Sequence, residues 1–182
     1  KINSLIHQVL NFNRIEDNED SLLILSRIEL VSFSHSLFSV YEEDKRLTFL
    51  FETNKAKIYA DMDAIKLGVI LDSLLSNAVK FTPDGGSIRL SLFYREETGL
   101  VDICVSDTGS GIPPRDIPYI FQRFFQSPHS GNKEGTGIGL YLVKTYTELH
   151  GGHITGVTSE EGKGTSVGLN LSLIHISEPT RP

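Results

Sequence analysis

Two glycine clusters with a polar loop between them constrain this chain more than any other stretch. The first is Asp107-Thr-Gly-Ser-Gly-Ile112 and the second is Gly135-Thr-Gly-Ile-Gly-Leu140. Between them lie an aromatic run, Phe121-Gln-Arg-Phe-Phe125, and a polar segment containing glycine and proline. Glycine takes positive φ without strain, so two such clusters imply backbone bent closely around a ligand. The second cluster runs directly into an apolar-periodic stretch through Leu140, Val143 and Thr147. This is a loop feeding a helix N-terminus, where free N–H groups and the helix dipole favour phosphate. With an acid, Asp107, closing a strand-like run, a nucleotide is the first hypothesis.

The 182 residues fit one domain with appendages, and a 39% hydrophobic content supports an ordinary core. A net charge of -6 and a pI near 5.5 argue against a nucleic-acid partner, which would require a basic stripe. A bound polyphosphate would therefore need local basic groups and Mg²⁺. The single cysteine, Cys104, excludes an internal disulfide framework, and its strand-like surroundings predict a buried, inert thiol. No stretch approaches the ~18 apolar residues a membrane span needs, and no signal peptide is recognisable. The expected location is cytoplasmic, although a piece excised from a membrane protein would read the same way.

Ile2, Leu5, Ile6, Val9, Leu10 and Phe12 follow helical spacing, so residues 1–16 read as an amphipathic helix cut from something longer. An isolated helix of that length is marginal in water and needs a partner for its apolar stripe. Residues 17–21 read as an acidic linker. Leu22–Leu25 can form a short strand, and Leu30, Phe33, Leu37, Phe38 and Tyr41 mark a helix face. Strands are expected over 47–53 and 57–60. Asp61 is the expected N-cap of a long helix ending near Phe81. Strands at 87–94 and 100–106 form a hairpin around Glu96-Glu-Thr-Gly99, and a helix over 138–150 stops at Gly151-Gly152. Strands at 153–159 and 164–172 complete the domain, 22–172. Residues 173–182 break the alternation and read as a non-native tail. The expected fold class is a two-layer α/β (α+β) sandwich. It has a mixed sheet of about five main strands with three helices on one face, plus the short N-terminal helix.

On helix 61–81, Leu67, Leu71, Leu74, Leu75 and Ala78 line the face expected to pack on the sheet. Ser73, Asn77 and Lys80 share a different face. Asn is a poor helix former, so Asn77 late in a buried helix calls for a reason. Its side-chain carbonyl is a suitable oxygen ligand for Mg²⁺, which takes few protein ligands plus phosphate oxygens. Lys80 is a suitable point charge for a phosphate, or simply a solvated side chain. Asp107 is acceptor-only and could take the amino hydrogens of adenine, although an Asp-Thr-Gly turn alone is common.

The order of these boxes resembles the ATP-binding catalytic domain of sensor histidine kinases (the Bergerat or GHKL type). The matching stretches are Leu74-Leu-Ser-Asn-Ala-Val-Lys-Phe-Thr-Pro83, Asp107-Thr-Gly-Ser-Gly-Ile112, Ile120-Phe-Gln-Arg-Phe-Phe125, Gly135-Thr-Gly-Ile-Gly-Leu-Tyr-Leu-Val-Lys144 and Glu148-Leu-His-Gly-Gly152. Leu10-Asn-Phe-Asn-Arg-Ile-Glu16 is similar to the end of the second dimerisation helix of such kinases. The resemblance implies that Asn77 coordinates Mg²⁺, Lys80 approaches the phosphates, and Phe81 lies near the base or walls the pocket. It implies that Asp107 reads the adenine amino group while Gly109 and Gly111 let the backbone approach. Phe121, Phe124 and Phe125 would anchor a lid running from Ile112 to Thr136, poorly ordered without nucleotide. Arg123 would be the lid's charge on the γ-phosphate, and Gly135, Gly137 and Gly139 the hinge and phosphate cradle. Thr136 and Leu140 complete the nucleotide-binding set.

Two positions depart from the family pattern. Ser73 stands where a second Asn is frequent, and Gln126 where a basic residue is frequent; Lys133 could substitute or be solvated. Water-activating relatives such as gyrase, MutL and Hsp90 carry a Glu one turn before the Asn as general base. Ser73 cannot serve so, and Asp72 is turned about 100° to another face. Efficient ATP hydrolysis is not expected. The family phosphorylates a His within His-Glu-x-x-Thr-Pro. His7 lacks that context, His35 and His150 read as helix-surface or boundary residues, His129 falls in the lid and His175 in the tail. No catalytic phosphoacceptor is therefore assigned. The implied partners are ATP, the dimerisation and phosphoacceptor domain of the same protein, and a response-regulator receiver domain, with homodimerisation of the full-length protein. The location implied is the cytoplasmic portion of a membrane-bound sensor. Alternatives are a serine-kinase or anti-sigma regulator of the same fold and a degenerate ATP-binding regulatory module.

Overall fold

A computed structural model describes residues 22–128 and 135–173. The expectations for helix 1–16, linker 17–21, His7, His129, Lys133 and residues 174–182 lie outside this range. Period-two alternation builds the centre of the fold. Ile88, Leu90 and Leu92 of β4 (Ser87–Arg95) are fully buried. The same holds for Val101 and Ile103 of β5 (Leu100–Asp107) and for Leu169 and Leu171 of β7 (Gly164–Ser172). One face of each strand thus turns to a common core. With β2 (Thr48–Thr53) and β6 (His153–Glu160), they form a five-stranded sheet in the order β2-β4-β5-β7-β6. β2 runs parallel to β4, and the remaining neighbours are antiparallel. A separate ribbon pairs β1 (Ser26–Glu29) with β3 (Tyr59–Met62).

Three helices cover the inward face: α1 (Leu30–Tyr41), α2 (Ala64–Phe81) and α3 (Gly139–Leu149). On α2 the expected stripe of Leu67, Leu71, Leu74, Leu75 and Ala78 is buried throughout. Each such leucine contributes roughly 1.5–3 kcal/mol by burial. Asp72, one position off Ser73, faces away from the stripe and accepts a hydrogen bond from the Tyr41 hydroxyl on α1. The architecture is the expected two-layer sandwich with a mixed sheet.

Several local expectations are corrected. The first strand is Ser26–Glu29 rather than 22–25, because Glu29 ends it as the N-cap of α1 and accepts from the N–H groups of Val31 and Ser32. Asp63, not Asp61, caps α2, accepting from Lys66 N at 3.1 Å, while Asp61 pairs with Arg27 in the ribbon. His150 is not at the surface: it is buried, its Nε2 accepting from Asp63 N at 3.1 Å and its Nδ1–H donating to Tyr146 O at 2.7 Å. Cys104 is half-exposed on the sheet face away from the helices, 3.6 Å from Ser106 Oγ. The packed chain extends to Leu173, which is buried and whose N–H donates to Gly99 O at 3.3 Å. No helix among the described residues is long and apolar enough to cross a membrane.

Candidate functional site

The C-terminal half of α2, the start of α3 and the inward edges of β5 and β7 enclose a cavity of about 160 Å³. Asn77 and Phe81 from α2, Asp107, Gly111 and Ile112 from the first glycine box, and Leu140 from α3 all line it. Asp107 is half-buried at the end of β5. Its Oδ1 accepts from Gly109 N at 2.8 Å and Thr165 N at 3.3 Å, and its Oδ2 has no partner among the described residues. Burial pushes its carboxyl above the usual range, against those two N–H bonds. On the α2 wall, the half-buried Asn77 amide makes no hydrogen bond to a described side chain or loop. A polar amide and a carboxylate oxygen thus face one space with hydrogen-bonding capacity not used by the described residues.

At the first box the glycines permit close approaches within the protein itself. A Cβ on Gly109 would lie 2.6 Å from Phe81 O, and one on Gly111 (φ +75) only 2.2 Å from Glu160 O. The box is thereby pressed between the end of α2 and the β6–β7 turn, with Ser110 N donating to Phe81 O and Gly162 N to Ser110 O. In the second box, a Cβ on Gly135 would lie 2.8 Å from Lys80 Nζ, and Gly137 packs on the Phe124–Phe125 backbone. Lys80 Nζ also lies 5.0 Å from the centre of the Phe81 ring.

Lys80, Gly109, Arg123, Phe124, Gly135, Thr136, Gly137 and Gly139 are not among the cavity walls. Arg123 is held over Tyr141 of α3, 5.5 Å from the ring centre. Of the expected aromatic anchors, Phe121 packs on the core and Phe125 on Tyr119, but Phe124 is 61% exposed and has φ +62. The neighbouring Ile120 is the buried side chain of this run. Gln126 Nε2 donates to Gly135 O, joining the two ends of the loop's outer part.

Wall residues that sequence reasoning missed include Ser110, Ser127, Glu161, Thr165 and Val167. The alternation of 164–172 held the signal for two of them, since 165 and 167 share a face with Leu169 and Leu171. α1 and α2 are capped by side chains, whereas no side chain caps the first turn of α3 beside the cavity. Its N–H groups retain their capacity for an anion. No group of three or more His, Cys, Asp or Glu among the described residues could hold a metal alone. Asn77 fits a divalent ion whose remaining ligands are phosphate oxygens and water.

A sandwich with a single-sided helical layer and this cavity beneath an uncapped helix has the layout a nucleotide-binding domain requires. The family described as histidine kinase-, DNA gyrase B- and HSP90-like ATPase matches residues 62–175, and the chain belongs to it. The sensor histidine kinase WalK of Bacillus subtilis is 31% identical over 171 residues, covering 92% of this chain and 28% of WalK. The crystal structure of full-length ShkA in complex with AMPPNP matches with TM-score 0.80 and 26% identity, covering 98% of this chain and 37% of that one. The nucleotide-free catalytic domain of histidine kinase ThkA shares the fold with TM-score 0.70 at 24% identity, covering 82% of this chain and 95% of that domain. Family and fold are those of a sensor-histidine-kinase catalytic domain. The chain spans less than two fifths of these full-length relatives, WalK and ShkA.

Proposed function

We propose that this domain binds Mg-ATP in the Asn77–Asp107 cavity and presents the γ-phosphoryl to a histidine on a dimerisation domain, from which it passes to a response regulator. The observation that carries the reading is that Asn77 and Asp107, far apart in sequence, wall the same cavity. Asp107 Oδ2 accepts from the adenine amino group, while Phe81, Ile112 and Leu140 supply apolar cover. The uncapped start of α3 and Lys80 meet the phosphates. Asn77 holds Mg²⁺, which neutralises charge on the transferring group. Arg123 and the glycines 135, 137 and 139 belong to the loop that closes over the triphosphate. Support comes also from ShkA, whose structure contains AMPPNP.

Transfer rather than hydrolysis follows from the α2 side chains. The position one turn before Asn77 is Ser73, buried and without a hydrogen-bond partner for its hydroxyl among the described residues, and Asp72 is engaged by Tyr41. No carboxylate there activates water. None of the six histidines stands in a His-Glu-x-x-Thr-Pro context, so the acceptor is supplied by another segment. Incubation with Mg²⁺ and γ-labelled ATP tests this. The chain is expected to retain nucleotide in equilibrium dialysis and to gain no acid-labile label. Acid-labile phosphate on this chain, or absence of retention, overturns the reading.

A further inference from the structure

Ser159 lies on β6 and is not itself a cavity wall, yet its hydroxyl joins two walls. Ile112 N donates to Ser159 Oγ at 2.7 Å, Ser159 Oγ donates to Gly164 O at 3.1 Å, and Ser159 Oγ lies 2.8 Å from Thr165 Oγ1. Ile112 and Thr165 both line the cavity. One hydroxyl offers one donor and two acceptor positions, so these three partners use its full capacity. The Gly164–Thr165 pair rests directly on Asp107. A Cβ on Gly164 would lie 1.9 Å from Asp107 O, and Thr165 N donates to Asp107 Oδ1 at 3.3 Å. The chain of contacts therefore runs from the first residue of the closing loop, through Ser159, to the backbone that aims the Asp107 carboxylate.

We propose that Ser159 is a positioning residue for the base: it sets the spacing between Ile112 and the Thr165–Asp107 wall and so enforces selection of a 6-amino purine. This rests on the nucleotide reading above. Removing the hydroxyl leaves the Ile112 N–H without its partner and frees Thr165 Oγ1, so the wall is no longer held to the width of one base edge. A site built to pair a specific polar edge discriminates strongly, and loses that discrimination when its own groups are misplaced. The contacts to phosphate made from α2 and α3 are untouched.

The test compares ATP, ITP and ADP binding by calorimetry in wild type, Ser159→Ala and Ser159→Thr. Wild type is expected to prefer ATP over ITP. Ser159→Ala is expected to shrink that preference by about ten-fold, the scale of one well-placed hydrogen bond, with the ATP-to-ADP ratio unchanged. Ser159→Thr, which keeps the hydroxyl, restores the preference. A merely structural role lowers all three affinities alike; an unchanged ATP-to-ITP ratio in Ser159→Ala overturns the proposal while leaving the nucleotide site standing. Wild type that binds none of the three overturns the nucleotide reading and this proposal with it. Should Ser159→Ala fail to fold, Thr165→Val probes the same link from the other end. Loss of base preference there supports the proposal, and retention overturns it.

Discussion

Asp107 and Thr165 stand directly opposite each other across β5 and β7, and the Thr165 N–H donates to Asp107 Oδ1 at 3.3 Å. This leaves Oδ2 as the atom that reads the base in the proposed nucleotide site. Burial holds the carboxyl above its ordinary value, so the folded chain binds this proton more readily than the unfolded chain. The group's contribution to stability is full below the unfolded value of 3.8 and is lost as pH rises through the raised folded value. Asp107→Asn keeps the Oδ1 acceptor and puts an NH₂ in place of Oδ2. Its thermal midpoint at pH 7 is expected to equal or exceed that of wild type. Its ATP affinity should fall by about 100-fold, because a donor now faces the amino group. Thermal melts and calorimetry on the same samples check both halves.

His150 carries a second pH dependence of opposite sign. Burial pushes its pKa below 6.5, opposed by the Tyr146 carbonyl and by Asp63, with Lys66 adding to the depression. The bond pattern at its two nitrogens fits a neutral ring with the proton on Nδ1. The stability this contributes is present above the unfolded value of 6.5 and is lost as pH falls through the depressed folded value. At Asp63 burial opposes the charge, but the N–H groups of Ile24 and Lys66 and the Lys66 ammonium outweigh it. Its carboxyl is held below 3.8 and acts only in stronger acid. Melting temperature should therefore drop between pH 7 and pH 5 in wild type. His150→Gln should flatten that slope and lower the midpoint at pH 7.5; a slope equal to wild type would count against the assignment.

Two glycines of similar φ separate conformational strain from crowding. A Cβ added at Gly162 (φ +78) would meet nothing within 4 Å, whereas one added at Gly111 (φ +75) would lie 2.2 Å from Glu160 O. Gly162→Ala is expected to cost about 1–2 kcal/mol, the penalty of the left-handed region alone. Gly111→Ala is expected to cost about 3 kcal/mol or more, because the box must also part from the β6–β7 turn. Urea unfolding of both variants measures the difference.

The two layers and the elements within them were legible because alternation and helical spacing are local and strong. The inward positions of β4 need no tertiary information: Ile88, Leu90 and Leu92 declare their shared face in the sequence. The order of strands in the sheet is not local, and it emerges only from pairing. Boundaries set by a single side-chain bond were not legible either. Asp61 and Asp63 are both plausible caps, and only the packing that brings Ile24 N to Asp63 Oδ2 at 3.0 Å selects the second. His150 went unread for a similar reason, since its burial depends on Asp63, 87 positions away in sequence. At the site, Asn77 and Asp107 stood out by residue type. Thr165 is marked only by the alternation of its strand, and Ser159 carries no signal and becomes visible only when β6 and β7 are laid beside β5.

Whether Asn77 and Asp107 enclose a metal–nucleotide site is decided by titrating AMPPNP, with and without Mg²⁺, into wild type and Asn77→Ala. Wild type should bind one equivalent, tightened about ten-fold or more by Mg²⁺, and Asn77→Ala should keep its fold but lose the Mg²⁺ enhancement. Equal Mg²⁺-dependent affinity in both proteins, or no binding by wild type, would mean that the two residues do not form such a site.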